Sequence, residues 1–97
     1  MKVSGRMKVK SLKDEFKKEF GVSVRVYKGK QFADDDATLA SIRAEGAPAK
    51  GDFEVRGNTK VGNVEKQFKD QLGITIQIED KAGALADNNV TLASLKN

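Results

Sequence analysis

The sequence predicts an α+β domain built from a tandem β-α-β repeat, and three observations carry that reading. The stretch Lys8–Val26 reads as a helix, a glycine stop and a strand, and Lys60–Ile78 repeats it. Val9, Leu12, Phe16 and Phe20 are spaced by three and four residues, as are Val61, Val64, Phe68 and Leu72. Such spacing lines up each set on one face of an α-helix. Val22, Val24 and Val26 alternate with Ser23, Arg25 and Tyr27, and Ile74, Ile76 and Ile78 with Thr75, Gln77 and Glu79. Strict alternation of β-branched and polar residues marks a strand with one buried face and one wet face.

Taken in order, Met1–Ser4 alternates apolar and polar residues and predicts a short strand. Phe53–Gly57 opens the second copy in the alignment that sets Gly5 on Gly57. Both glycines are expected to supply a positive-φ bend out of the strand. Ser11 and Asn63 are expected N-caps of the two helices, with Thr59 able to cap one turn earlier. Asp14 with Lys18, and Glu65 with Lys69, are i, i+4 pairs of the favourable order. Gly21 and Gly73 stand where a left-handed C-terminal cap belongs. After each long strand, Ala33–Ile42 and Ala86–Leu95 read as an acidic or amide turn leading into a short helical turn. Leu39, Ile42, Leu92 and Leu95 are expected to point inward from it. The alignment shifts by one residue here, so one loop is longer.

The 97 residues suffice for one hydrophobic core. The expected organisation is a single domain, 1–97, with copies at 1–44 and 53–97. A linker rich in Gly, Ala and Pro joins them at 45–52. Two βαβ units with right-handed crossovers then give β-α-β-β-α-β, a ferredoxin-like split-βαβ sheet with pseudo-two-fold symmetry. Both long helices are expected on one face of it.

A second arrangement is β-grasp-like halves. Thr59–Phe68 followed by Gly73 looks like the helix of ubiquitin-like proteins, and Tyr27–Leu39 resembles the strand and turn after that helix. Each copy lacks the first hairpin strand and the last strand of that fold. The resemblance implies a binding module. The end Ser94–Asn97 has no diglycine, so covalent conjugation is not implied.

The chain has no cysteine and no histidine. It therefore has no disulfide, no thiolate and no imidazole base near neutral pH. The expectation is a protein that is not an enzyme and uses no cofactor or metal. Asp34-Asp35-Asp36 invites a calcium reading, but a hard cation needs about six or more oxygens. The corresponding Asp87-Asn88-Asn89 carries one carboxylate, so a turn role is expected. The glycines form no phosphate-binding loop pattern. Net charge is +4, and residues 1–49 hold the whole excess. No apolar run approaches about 18 residues, and Met1–Arg6 leads into no apolar stretch. No membrane partner and a cytoplasmic location are therefore expected.

These features favour a non-enzymatic protein-binding or adaptor module. The candidate contacts are Arg25, Tyr27, Lys13, Lys17 and Arg56. They combine basic charge with Tyr27, which is expected to be the only aromatic on a wet sheet face shared with Lys2, Ser4, Glu54, Thr75, Gln77 and Glu79. The runner-up is a nucleic-acid binder using the basic first copy. Neither copy is long enough to cover its own apolar faces. A fragment of residues 1–50 should therefore show no cooperative thermal transition by circular dichroism, and a sigmoidal melt would contradict the shared core.

Overall fold

A computed structural model of the protein describes residues 1–43 and 52–96. The expected linker lies outside the described residues, apart from Asp52. The elements run β1 (Lys2–Val3), α1 (Val9–Phe20), β2 (Ser23–Lys28), β3 (Gln31–Phe32) and a 3₁₀ turn (Ala40–Ile42). They continue with β4 (Phe53–Glu54), α2 (Val61–Leu72), β5 (Thr75–Glu79) and α3 (Leu92–Leu95). The class is α+β, as expected.

The strand pairing is not the expected one. β1 pairs antiparallel with β4, and β2 lies between β3 and β5 in a separate antiparallel sheet. The described strands thus form two sheets rather than one split-βαβ sheet. The reason lies in competition for backbone groups. Just past β1, Leu39 N–H donates to Met7 O at 2.8 Å and Ala40 N–H to Gly5 O at 2.9 Å. Just past β4, Leu92 N–H donates to Thr59 O at 3.1 Å and Ala93 N–H to Gly57 O at 2.8 Å. These loops hold β1 and β4 to two residues each, too few to insert beside longer strands. The free edge of β2 is taken by its own hairpin partner, β3.

Both pairings are centred on residues that correspond in the alignment. Arg25 stands directly opposite Gln77 in β2–β5, and Lys2 opposite Glu54 in β1–β4. Val24, Val26, Ile76 and Ile78 point to the helix side of the sheet and join Val9, Leu12, Phe16, Val61, Val64 and Phe68 in one core cluster. Phe16 of α1 lies 6.1 Å from Phe68 of α2, and Phe53 meets Phe68 edge-on at 5.1 Å.

The helices start earlier than caps at Ser11 and Asn63 predict, and α2 starts one residue later than a cap at Thr59 predicts. Their N-caps are Lys8 and Lys60, with no side-chain cap hydrogen bond, so Ser11, Asn63 and Thr59 do not serve. The leading N–H groups are satisfied by distant backbone. Val9 and Lys10 donate to Ala37 O and Asp35 O, and Val61 and Gly62 to Val90 O and Asn88 O. A carbonyl from a tertiary loop removes the need for a local cap. Gly21 and Gly73 do take left-handed caps, at φ 67 and φ 66.

Gly5 and Gly57 are not among the positive-φ glycines. They are small because the loop passes close by: a Cβ on Gly5 would lie 3.2 Å from Ala40 Cβ, and one on Gly57 3.5 Å from Ala93 Cβ. The expected pairs Asp14–Lys18 and Glu65–Lys69 are not formed; the i, i+4 pair on α2 is Lys66–Asp70, at 2.7 Å. Glu65 turns toward the sheet instead, where its Oε2 accepts from Ile78 N–H at 3.3 Å. Desolvation there raises its carboxyl above the usual value, against the opposing effect of that hydrogen bond.

Two outcomes follow from this packing. Phe16→Ala and Phe68→Ala should each cost about 3–5 kcal/mol in denaturant unfolding, because each empties a fully buried ring site. Glu65 holds its proton more tightly in the folded chain than in the unfolded one. Its stabilising contribution is therefore complete below the ordinary carboxylate range and is lost as pH rises through the raised value. Glu65→Gln keeps an acceptor for Ile78 and removes the desolvated charge. The variant should melt above wild type at pH 7, and the difference should vanish near about pH 3; a difference independent of pH would contradict this.

Candidate functional site

Alternation along β2 and β5 leaves Ser23, Arg25, Tyr27, Thr75, Gln77 and Glu79 on the sheet face away from the helices. Two diagonal bonds cross this face. Arg25 Nε donates to Glu79 Oε2 at 2.8 Å, and Nη2 lies 2.7 Å from the same oxygen, although Glu79 stands opposite Ser23. Tyr27 Oη donates to Gln77 Oε1 at 2.7 Å, although Gln77 stands opposite Arg25. The hydrogen bond to Glu79 raises the Arg25 pKa above its ordinary value, and Tyr27 adds in the same direction. The centre of the face is thus polar and internally satisfied.

Its edges are apolar. β2 and β3 are joined through a two-residue loop, Gly29–Lys30, in which Gly29 takes φ 64. Glycine at the first loop position with φ above zero is the pattern of a type II′ hairpin loop. The hairpin puts Phe32 opposite Tyr27, with the rings stacked at 5.1 Å and 22°. Phe32 is 67% exposed. At the far edge, the chain after β5 doubles back through Asp80–Ala84, where Asp80 Oδ1 accepts from Ala82 and Ala84 N–H. This brings Leu85 opposite Glu79, and Leu85 is 50% exposed. Phe32 and Leu85 correspond in the alignment, as do Tyr27 and Glu79. The loop in the second half is one residue longer, which accounts for the shift seen in sequence.

The five candidate residues do not come together. Arg25 and Tyr27 share the open face. Lys13 and Lys17 lie on α1, which packs through Val9, Leu12, Phe16 and Phe20 against the opposite face. Lys13 pairs with Asp35 at 2.9 Å. Arg56 follows β4 in the other sheet and pairs with Glu54 at 3.1 Å. Lys2, Ser4, Glu54 and Arg56 therefore leave the face predicted to hold them, and Tyr27 is not its only aromatic. Phe32 and Leu85 escaped sequence reasoning because they lie in stretches too short for alternation. The glycine loop before Phe32 was the one available signal.

The acidic turn is used structurally. Asp34 Oδ1 accepts from Asp36 N–H at 2.9 Å, and Asp87 Oδ1 accepts from Asn89 N–H at 2.8 Å in the matching turn. Among the described residues, no three His, Cys, Asp or Glu side chains gather as a metal site, and no helix is long and apolar enough to cross a membrane. Comparison with protein-family models, curated proteins and solved structures found no match.

Since Phe32 and Leu85 support little of the core, Phe32→Ser and Leu85→Ser should each cost less than about 1 kcal/mol in denaturant unfolding. A larger loss would show that these side chains are structural.

Proposed function

We propose that the protein is a non-enzymatic, cytoplasmic binding module that engages a protein partner through the open face of the β3-β2-β5 sheet. The observation that carries this reading is the exposure of Phe32 and Leu85 at corresponding positions on opposite edges of one face. Three strand spacings across and four residues along put them about 20 Å apart. Between them, Arg25, Tyr27, Gln77 and Glu79 are already hydrogen-bonded to one another, so their desolvation on docking costs little beyond what folding has settled. Two apolar anchors flanking a satisfied polar centre suit a partner segment that spans the face diagonally.

A nucleic-acid reading has one observation in its favour. The Tyr27–Phe32 stack is flanked by Lys28 and Lys30, and an exposed ring beside cations can stack a base. The two readings differ at Leu85, which an apolar anchor site requires and a stacking platform does not.

Capture from lysate of the source organism, with and without nuclease, separates them when run on wild type, Phe32→Ser and Leu85→Ser. The protein-binding reading requires a protein retained in both nuclease arms, with affinity reduced at least about tenfold by either substitution. Retention abolished by nuclease, falling steeply with salt and indifferent to Leu85→Ser, would overturn it in favour of nucleic acid.

A further inference from the structure

A cleft of about 240 Å³ lies at the end of the sheet where β2 finishes and β5 begins. Its cations come from three separate elements. Lys28 stands at the hairpin, Arg43 directly follows the 3₁₀ turn, and Lys69 lies in the last turn of α2. Among the described residues, none of those lining it is acidic. None of the three cations pairs with a carboxylate among the described residues. The remaining wall includes Gly29, Gly73 and the hydroxyl-bearing Thr75, and the space beside Gly29 is open.

The opposite end of the same sheet is an internal control. There the residues corresponding to Lys28, Arg43 and Lys69 are Asp80, Lys96 and Lys17, and Glu79 stands where Tyr27 does. That end carries two carboxylates among its cations, so the fold does not require the unrelieved cluster. A cation in the last helical turn is favoured by the helix dipole. This explains Lys69 as it explains Lys17, but it does not explain Lys28 or Arg43.

We infer that this cleft binds a phosphate group, either inorganic phosphate or a phosphomonoester. Three like charges around one small cleft repel one another, and a dianion relieves that repulsion more fully than a single carboxylate does. Guanidinium and ammonium donors suit phosphate oxygens, the guanidinium by a bidentate contact. The cleft borders the docking face, sharing Tyr27 and Thr75 with it, but its three cations are not among the residues of that face, and the assignment stands whether or not the face binds a protein.

The test is a titration of the ¹⁵N-labelled full chain with sodium phosphate, against sodium chloride at matched ionic strength. The expected result is saturable amide shifts confined to residues 28–30, 43 and 73–75. Lys69→Gln and Arg43→Gln should each weaken binding about tenfold, since each removes one charge-assisted contact. Lys17→Gln, at the corresponding position of the other helix, should leave it unchanged. A phosphoserine peptide run in parallel distinguishes the sources: tighter binding than inorganic phosphate marks a phosphomonoester, and equal binding marks the free anion. Unsaturable shifts, shifts spread over the lysine-bearing surface, or equal weakening by Lys17→Gln would overturn the assignment.

Discussion

The antiparallel contact between β2 and β5 is the constraint on which the rest of the structure depends. It joins the two halves along five residue pairs, from Ser23 with Glu79 to Tyr27 with Thr75. On one side it aligns Val24 and Val26 with Ile78 and Ile76, making the apolar floor for α1 and α2. On the other it sets Arg25 and Tyr27 within diagonal reach of Glu79 and Gln77. Remove this ladder and each half keeps one long strand with an unpaired edge and a helix with half its cover. Because the ladder is centred on Arg25 and Gln77, it also sends Phe32 and Leu85 to opposite edges of one face.

A second device fixes each helix to its own half. The loop ahead of α1 is bonded to the segment from Asp35 to Ala40, and the loop ahead of α2 to the segment from Asn88 to Ala93. The matching hydrogen bonds use corresponding residues throughout. Each strap caps a helix, ends a short strand and presses an alanine against a glycine. It also drives Leu39 and Leu92 into the core, where both are fully buried. The straps therefore explain why sequence conservatism between the halves extends to glycines and alanines with no role in the core.

Much of this was legible in the sequence wherever the controlling physics is local. The stripes of Val9, Leu12, Phe16 and Phe20, and of their counterparts, are set by helical geometry alone. So are the left-handed glycines at 21 and 73 and the inward valines and isoleucines of β2 and β5. What depended on distant partners was not legible. The helix N-termini are capped by carbonyls from remote loops, which no local motif records. The role of Gly5 and Gly57 is clearance for Ala40 and Ala93, visible only once the loop is in place. Strand pairing was misjudged because β1 and β4 stop after two residues, under competition that sequence patterning does not express. Of the candidate site, Arg25 and Tyr27 were found by alternation. Phe32 and Leu85 were not, since a residue placed by a hairpin register has no periodicity of its own.

The central claim is that two halves share one core and therefore one folding equilibrium. Amide hydrogen exchange across a denaturant series measures this directly, because it reports the opening free energy of each helix separately. The account predicts that the slowest amides of α1, α2, β2 and β5 merge into a single isotherm at the global unfolding free energy. Two distinct isotherms, one for α1 with β2 and another for α2 with β5, would show that the halves open independently and would contradict it.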